Sequence, residues 1–258
     1  MKVVIIGTGN VAHVLGDSMV AAGHEIIEIA GRNPDHVKSL ADIFQCHAND
    51  NLGKINLSAD LYLIAVADNS IEAVAKNIRV YDRVVVHTAG SVFKDVLHEC
   101  SENYGVIYPL QSLRKGLNHK PIIPVLIEGN NDLAKETIKT FAETWASTVQ
   151  FATDEERLKT HVAAVVVNNF TNHLLTIADQ YCKEEKLNFS LLYPLIEETV
   201  HRLQFFAPST VQTGPAIRHD FVTIEKHLSI LANHHFLREL YKMFSSNIMD
   251  FYSKDDKD

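Results

Sequence analysis

The chain has three cysteines and one tryptophan in 258 residues, and its basic residues do not balance its acids. It also has no apolar run approaching the roughly 18 residues needed to cross a bilayer. Each shortage excludes something. Cys46, Cys100 and Cys182 are far apart, odd in number and without C-x-x-C spacing, so they read as reduced structural thiols rather than disulfides or zinc ligands. With 24 lysines and arginines against 32 acids, the formal charge of −8 argues against nucleic acid as a partner. No charged segment leads into an apolar one at the start, so neither an export signal nor a membrane partner is expected, and the expected location is the cytoplasm. The 14 histidines are scattered, and no metal site is expected. What is present, a hydrophobic share of 46%, suffices for one large core or two smaller ones.

The most informative stretch is the first. Lys2 to Ile6 reads as a short buried strand, Gly7 and Gly9 allow a tight turn, and Asn10 to Ala22 reads as a helix whose first N–H groups point back at that turn. The pattern Gly7-Thr8-Gly9-Asn10-Val11-Ala12 is the dinucleotide fingerprint G-x-G-x-x-G/A. Gly7 makes the turn, Gly9 lets backbone approach a pyrophosphate, and Ala12 is small enough for close packing of helix on strand. A plain strand-to-helix turn is the competing account.

Strand and helix signals then alternate through the first half. Strands are expected at His24–Ala30, Leu61–Val66, Arg83–His87, Gly105–Tyr108, Pro124–Ile127 and Thr148–Phe151. Helices are expected at Pro34–Gln45, Ile71–Ile78 (with Asn69-Ser70 as a cap), near Val92–Cys100 and at Asn131–Trp145. Such alternation implies an α/β, doubly wound, mostly parallel sheet. The end of the second strand selects the cofactor. An acid there would hold a ribose 2′-hydroxyl; the chain instead has Ala30-Gly31-Arg32-Asn33, with a guanidinium able to pair with a 2′-phosphate, which favours NADP over NAD. Arg32 as a solvated loop residue, or stacked on adenine in an NAD enzyme, remains open.

Ligands in open α/β sheets sit outside the carboxyl ends of the strands. Two later ends, Ala65-Val66-Ala67-Asp68 and His87-Thr88-Ala89-Gly90-Ser91, therefore border the same crevice, with Ala67 and Thr88 beside the cofactor. His87 either donates a proton or fills the end of its strand. Tyr108, Gln111 and Ser112 are candidate substrate contacts, with ordinary turn chemistry as the alternative.

Composition shifts after Phe151, which places a boundary between a cofactor domain over 1–152 and an all-helical domain over 153–258. From Arg157 to Lys186 no strong breaker appears, so one long, largely buried helix is expected, with His161, Val165, Asn168, Asn172 and Asp179 along one stripe and Asn169, His173 and Thr176 along the next. Polar groups lining an apolar helix form either the wall of a ligand cleft or a set of interhelical hydrogen bonds. Further helices are expected at Ser190–Phe206, Phe221–Leu231 and His234–Phe251, followed by a charged tail, Ser253–Asp258, that reads as disordered. The loop Thr213-Gly214-Pro215-Ala216 precedes Arg218 and Asp220; Arg218 either clamps a substrate carboxylate with Asp220 orienting it, or the two form a structural salt bridge.

Taken together, Gly7-Thr8-Gly9-Asn10-Val11-Ala12, Tyr108-Pro109-Leu110-Gln111, Asn168-Asn169-Phe170 and Thr213-Gly214-Pro215-Ala216-x-Arg218-x-Asp220 resemble the Rossmann-like NADP-binding reductases. Their helical C-terminal domain is similar to that of 6-phosphogluconate dehydrogenase and pyrroline-5-carboxylate reductase. The resemblance implies two domains, a small-molecule substrate in the cleft between them, and a homodimer through the C-terminal helices. The dehydrogenases of that superfamily carry Lys four residues before Asn on the long helix; here those positions are Ala164 or Val165, so the lysine is missing. The expected chemistry is hydride transfer from NADPH to a small C=O or C=N carbon, with His161 as proton donor, His87 in reserve, Asn169 orienting the substrate, and Tyr108, Gln111, Thr213, Arg218 and Asp220 binding it. The alternative is an NADP-binding sensor that has kept the fold and lost the chemistry.

Overall fold

The computed structural model describes residues 1–117 and 119–253; the tail from residue 254 lies outside them. Among the described residues eight strands form one sheet in the order β3-β2-β1-β4-β5-β6-β7-β8. They are β1 (Lys2–Ile6), β2 (Glu25–Ala30), β3 (His47–Asn49), β4 (Leu61–Ile64), β5 (Tyr81–His87), β6 (Ser101–Pro109), β7 (Pro124–Gly129) and β8 (Thr148–Phe151). All neighbours are parallel except β6 and β7, which are antiparallel. The short β3 was not anticipated: three residues without apolar alternation carry no strand signal, and it exists because Glu28, Ile29 and Ala30 pair with it.

The near-continuous apolar run of β1 follows from its central place. Val3 and Ile5 face a core built with α1 (Asn10–Ala21), α2 (Pro34–Phe44) and, farther along the sheet, residues of α4 (Asp132–Glu143). Val4 and Ile6 face the other side, packed with α3 (Ile71–Ala75). All four are at most 1% exposed, and burial on both faces is what a parallel strand requires. The sheet is therefore covered by helices on both faces, the α/β doubly wound arrangement that alternation implied. Its order reverses direction after β1, so the crevice beyond the ends of β1 and β4 is where ligands of such sheets bind.

Local signals explain most boundaries. Pro34 opens α2 while Asn33 accepts a hydrogen bond from the His36 N–H, Asn131 caps α4, and Thr153 with Glu156 forms a reciprocal capping box at the start of α5 (Asp154–Ala164). The helix expected near Val92–Cys100 is only a 3-10 turn, Lys94–Leu97. The Val92 carbonyl is taken by the Arg157 guanidinium at 2.6 Å, so it is lost to a helical ladder.

The chain divides by its packing into residues 1–168 and 169–258. The composition shift at 152/153 lies one helix earlier, because α5 is bonded to the sheet unit through Arg157. The single long helix expected from Arg157 to Lys186 is instead α5, a π-helical segment Val165–Phe170, and α6 (Thr171–Glu184). Three β-branched valines followed by two asparagines have poor helical propensity, which suits a wider turn there, and the stripe computed at a regular helical period does not run through it. Nor is this region largely buried: Val162, Val166, Val167 and Phe170 are all at least half exposed in the single chain. The second unit adds α7 (Tyr193–Arg202), α8 (Phe221–Ile230) and α9 (His235–Tyr252). His234 ties the start of α9 to the end of α6 by bonding Glu184 at 3.0 Å and Glu185 at 2.6 Å. Among the described residues no helix is long and apolar enough to cross a membrane.

Candidate active site

At the end of β1 the backbone turns through Gly7, whose φ of +129° and position leave no room for a side chain: a Cβ there would lie 2.1 Å from the Ala65 carbonyl oxygen. Gly9 is different. A Cβ on Gly9 would meet no protein atom within 4 Å, so nothing in the protein's own packing demands glycine, and its open side faces outward at the start of α1. That helix has neither an acid in its first turn nor a side-chain cap, which leaves its leading N–H groups to an external anion. A cavity of about 840 Å³ opens there, lined by Gly7, Thr8, Gly9, Asn10 and Val11, by Arg32 and Asn33, and by Ala67 and Asp68. Ala12, fully buried, keeps α1 against the sheet. Arg32 is exposed and has no ion-pair partner among the described residues, so its guanidinium is available to a phosphate at the cavity edge. Glu28 points elsewhere: it is 2% exposed and bonded by Asn49 Nδ2 at 3.0 Å, inside the sheet rather than at its tip.

Two cofactor candidates have other duties. The Asn33 side chain caps α2, and the Thr88 hydroxyl is buried and turned toward the Ile64 carbonyl at 3.5 Å.

The second feature lies at the ends of β5 and β6. Tyr108 and His161 meet through a 2.9 Å hydrogen bond between the phenol oxygen and Nδ1, with the rings edge to face at 5.7 Å. They close over Gly90, where a Cβ would fall 2.9 Å from both the imidazole ring and Tyr108 Cζ. Burial, assisted by the nearby Asp68 carboxylate, pushes the Tyr108 phenol pKa up, so the hydroxyl keeps its proton at neutral pH. Asp68 in turn accepts a hydrogen bond from Ser91, bracing the loops after β4 and β5.

For His87 the structure favours the second of its two readings. It is wholly buried, its Nδ1 accepts the Ala89 N–H at 3.2 Å, and burial followed by the Arg157 charge lowers its pKa to about 4. A neutral, enclosed imidazole is no acid at physiological pH, so His87 fills the end of its strand. Gln111 spends its amide within its own loop, donating to the Ile122 carbonyl and accepting from the Ser112 N–H. Asp220 forms no close ion pair with Arg218: its carboxylate caps α8 through the Thr223 N–H and hydroxyl, and those bonds, with a smaller contribution from the Arg218 charge, hold its pKa below the usual range. Arg218 is exposed without an ion pair among the described residues, and Thr213 is exposed. Asn169 is exposed in the π-helical segment.

The sequence reading missed the group that holds α5 in place. Arg157, 1% exposed, donates to Glu128 at 3.1 Å, to the Val92 carbonyl and to Asp154, while Lys94 bonds Glu128 at 2.9 Å and Asp154 at 3.0 Å. Burial alone would raise the Asp154 pKa, yet hydrogen bonds from Arg157 and Lys94 hold it below the usual value; those on Lys94 likewise overcome desolvation and raise its own. Two cations and two carboxylates thus fasten β7, the loop after β5 and the first turn of α5, one turn before His161. A usable signal was Glu128, an acid interrupting an apolar strand. Cys46 and Cys100, pushed up to about 11 chiefly by burial, stay protonated thiols, and all three cysteines are free.

Comparison with known proteins places this geometry. The model of the family described as NADP oxidoreductase, coenzyme F420-dependent, matches residues 2–90, and that of a domain of unknown function, DUF2520, matches residues 123–248. A Bacteroides fragilis protein provisionally named an NADP oxidoreductase is 32% identical, over 96% of this chain and 98% of that one, with a TM-score of 0.87. The chain belongs to this NADP oxidoreductase family. Its cofactor is NADP, and the glycine turn and Arg32 fit that group. Two more distant structures share the fold. A reductive aminase from Aspergillus terreus, solved with NADPH and ethyl-5-oxohexanoate, has a TM-score of 0.70 at 12% identity, covering 97% of this oxidoreductase and 99% of that chain. A pyrroline-5-carboxylate reductase from Streptococcus pyogenes has a TM-score of 0.61 at 14% identity, covering 98% of each. No curated protein sequence matches significantly.

Arg157→Ala leaves two carboxylates sharing one lysine in a nearly closed site. Denaturant unfolding is expected to show a loss of about 3 kcal/mol; a loss under about 1 kcal/mol would mean that the cluster is not what fixes α5.

Proposed function

We propose that this NADP oxidoreductase reduces a small C=O or C=N compound, with His161 as proton donor and Tyr108 as the group that orients it. The observation that carries the reading is the Tyr108–His161 hydrogen bond over Gly90, linked to the glycine-turn cavity through Asp68, which lines that cavity and accepts from Ser91. Bound NADPH supplies the hydride. A phenol both donates and accepts, so Tyr108 serves either state of its neighbour. It accepts the Nδ1–H of an imidazolium, whose Nε2–H protonates the oxygen or nitrogen of the substrate; the neutral ring that remains keeps its Nδ1–H on the phenol oxygen, and Nε2 regains a proton from solvent. The residue that replaces the missing helix lysine is thus a histidine earlier on the same helical run. The Asp68 carboxylate beside this pair favours a substrate that is neutral or cationic at the reacting atom. Asn169 orienting the substrate, and Arg218 and Thr213 engaging an acidic substituent, complete the proposal.

His161→Ala is expected to cut kcat about 100-fold with NADPH affinity unchanged, the usual size of a lost general acid. Tyr108→Phe should cost less and shift the pH profile of kcat. Loss of NADPH absorbance with imines, aldehydes and 2-oxo acids provides the assay, and full turnover by His161→Ala at saturating substrate would remove it from the mechanism.

We further propose that the chain works as a homodimer through its helical unit. Residues 169–253 bury little apolar surface of their own, chiefly Cys182, Ala216, Ile224, Leu228 and Leu231, while Leu191, Leu195, Phe205 and Val222 are 65–76% exposed. Monomers rarely leave so much apolar surface in water. Sedimentation is expected to show a species of two 28.9 kDa chains, and a monomer at micromolar concentration would contradict it.

A further inference from the structure

We propose that Arg114 and Lys115, in the loop between β6 and β7, bind the cofactor by clasping its pyrophosphate from outside the glycine turn. The inference rests on the assignment of NADP and adds residues that the fingerprint does not include.

The loop is built against α1. The Lys115 N–H donates to Asn10 Oδ1 at 3.3 Å, and Asn10 is the first residue of that helix and part of the glycine motif. Leu113 lines the same cavity as Gly7 and Gly9. Arg114 and Lys115 line a neighbouring cavity of about 510 Å³ that runs along the flank of α1 from Val14 to Ala21, and it is the Lys115 backbone, bonded to Asn10, that lies at the helix N-terminus. The loop therefore brings two cations alongside the helix whose N-terminus faces the pyrophosphate.

Charge makes this placement informative. From Asn103 to Ile127 the chain has no aspartate or glutamate, although acids outnumber bases in the whole sequence. Neither Arg114 nor Lys115 has an ion-pair partner among the described residues. The one carboxylate lining their cavity, Asp17, lies 3.3 Å from His13 Nδ1 and pairs with neither. The nearby helix end carries the positive pole of the macrodipole, and its first turn holds no acid. Two unpaired cations beside a positive helix end repel one another and that end. A dianionic pyrophosphate on the leading N–H groups reverses the sign of the interaction. The backbone bond from Lys115 to Asn10 keeps the loop in register while the side chains, being long and flexible, reach for the phosphates.

The test is a binding titration of the full chain with NADPH and, separately, with adenosine 2′-monophosphate, which carries the 2′-phosphate and no pyrophosphate. The Arg114→Gln, Lys115→Gln double variant is expected to bind NADPH about tenfold more weakly at low salt, the size of two solvent-exposed ion pairs. The gap should narrow at high salt. Affinity for adenosine 2′-monophosphate should stay at the wild-type value, whereas Arg32→Ala weakens both ligands. Lys115→Arg, which keeps the charge, should bind NADPH as wild type does. Wild-type affinity of the double variant for NADPH at low salt would overturn the clasp and leave the cofactor assignment standing, as would equal loss of both ligands. A wild-type chain that binds neither ligand would overturn the assignment itself.

Discussion

The rest of the molecule depends on how closely the ends of β1 and β4 approach. Gly7 sits so near the Ala65 carbonyl that no side chain fits between them, and this closeness sets the mouth of the crevice at which the strand order reverses. Two residues on, the same turn opens outward at Gly9, where the protein leaves the space beside the backbone free. One glycine is thus demanded by the fold, while at the other the fold itself makes no such demand. The contrast converts a sequence pattern, which a plain turn could also show, into a physical statement about where an anion approaches the helix.

A second constraint holds the Tyr108–His161 pair. Burying Arg157, Lys94, Glu128 and Asp154 together costs desolvation, and such clusters are weak contributors to net stability unless well bonded. Here the bonds are complete enough to join three separated stretches of chain: the end of β7, the loop that follows β5 and the start of α5. That loop leads from Gly90, and α5 carries His161 onto it. The ion cluster therefore works as a fixture for the Tyr108–His161 pair, and the same pull on the Val92 carbonyl explains why a helix expected there is only a single turn.

Much of the sheet domain was legible in the sequence because its signals are local. Apolar runs such as Val3 to Ile6, the glycines of the first turn and Pro34 at the start of α2 each act within a few residues. What escaped depends on which of several partners, near or distant in the chain, each side chain takes. β3 exists only by pairing with β2, the duties of Asn33, Thr88 and Gln111 follow from which backbone groups lie in reach, and Asp220 proved to be a helix cap. Arg157 stood only as the start of a stretch without breakers, because its counterion Glu128 lies 29 residues away. His87 and His161 are indistinguishable as letters; the first is wholly buried at the end of β5 and the second bonded to a phenol over Gly90. The valine and asparagine run at 165–169 held a clue to the π-helical turn that a uniform helical period could not register.

The central claim, that the space beside Gly9 belongs to the cofactor, is tested most directly by Gly9→Val. Its backbone φ of −82° suits any residue, and no protein atom stands where the new Cβ would go. The account predicts a variant that melts within a degree or two of wild type and whose NADPH affinity, followed by titration, falls by at least about 100-fold, since the side chain occupies the pyrophosphate's approach. A Gly9→Val protein that folds normally and binds NADPH as wild type does would contradict it.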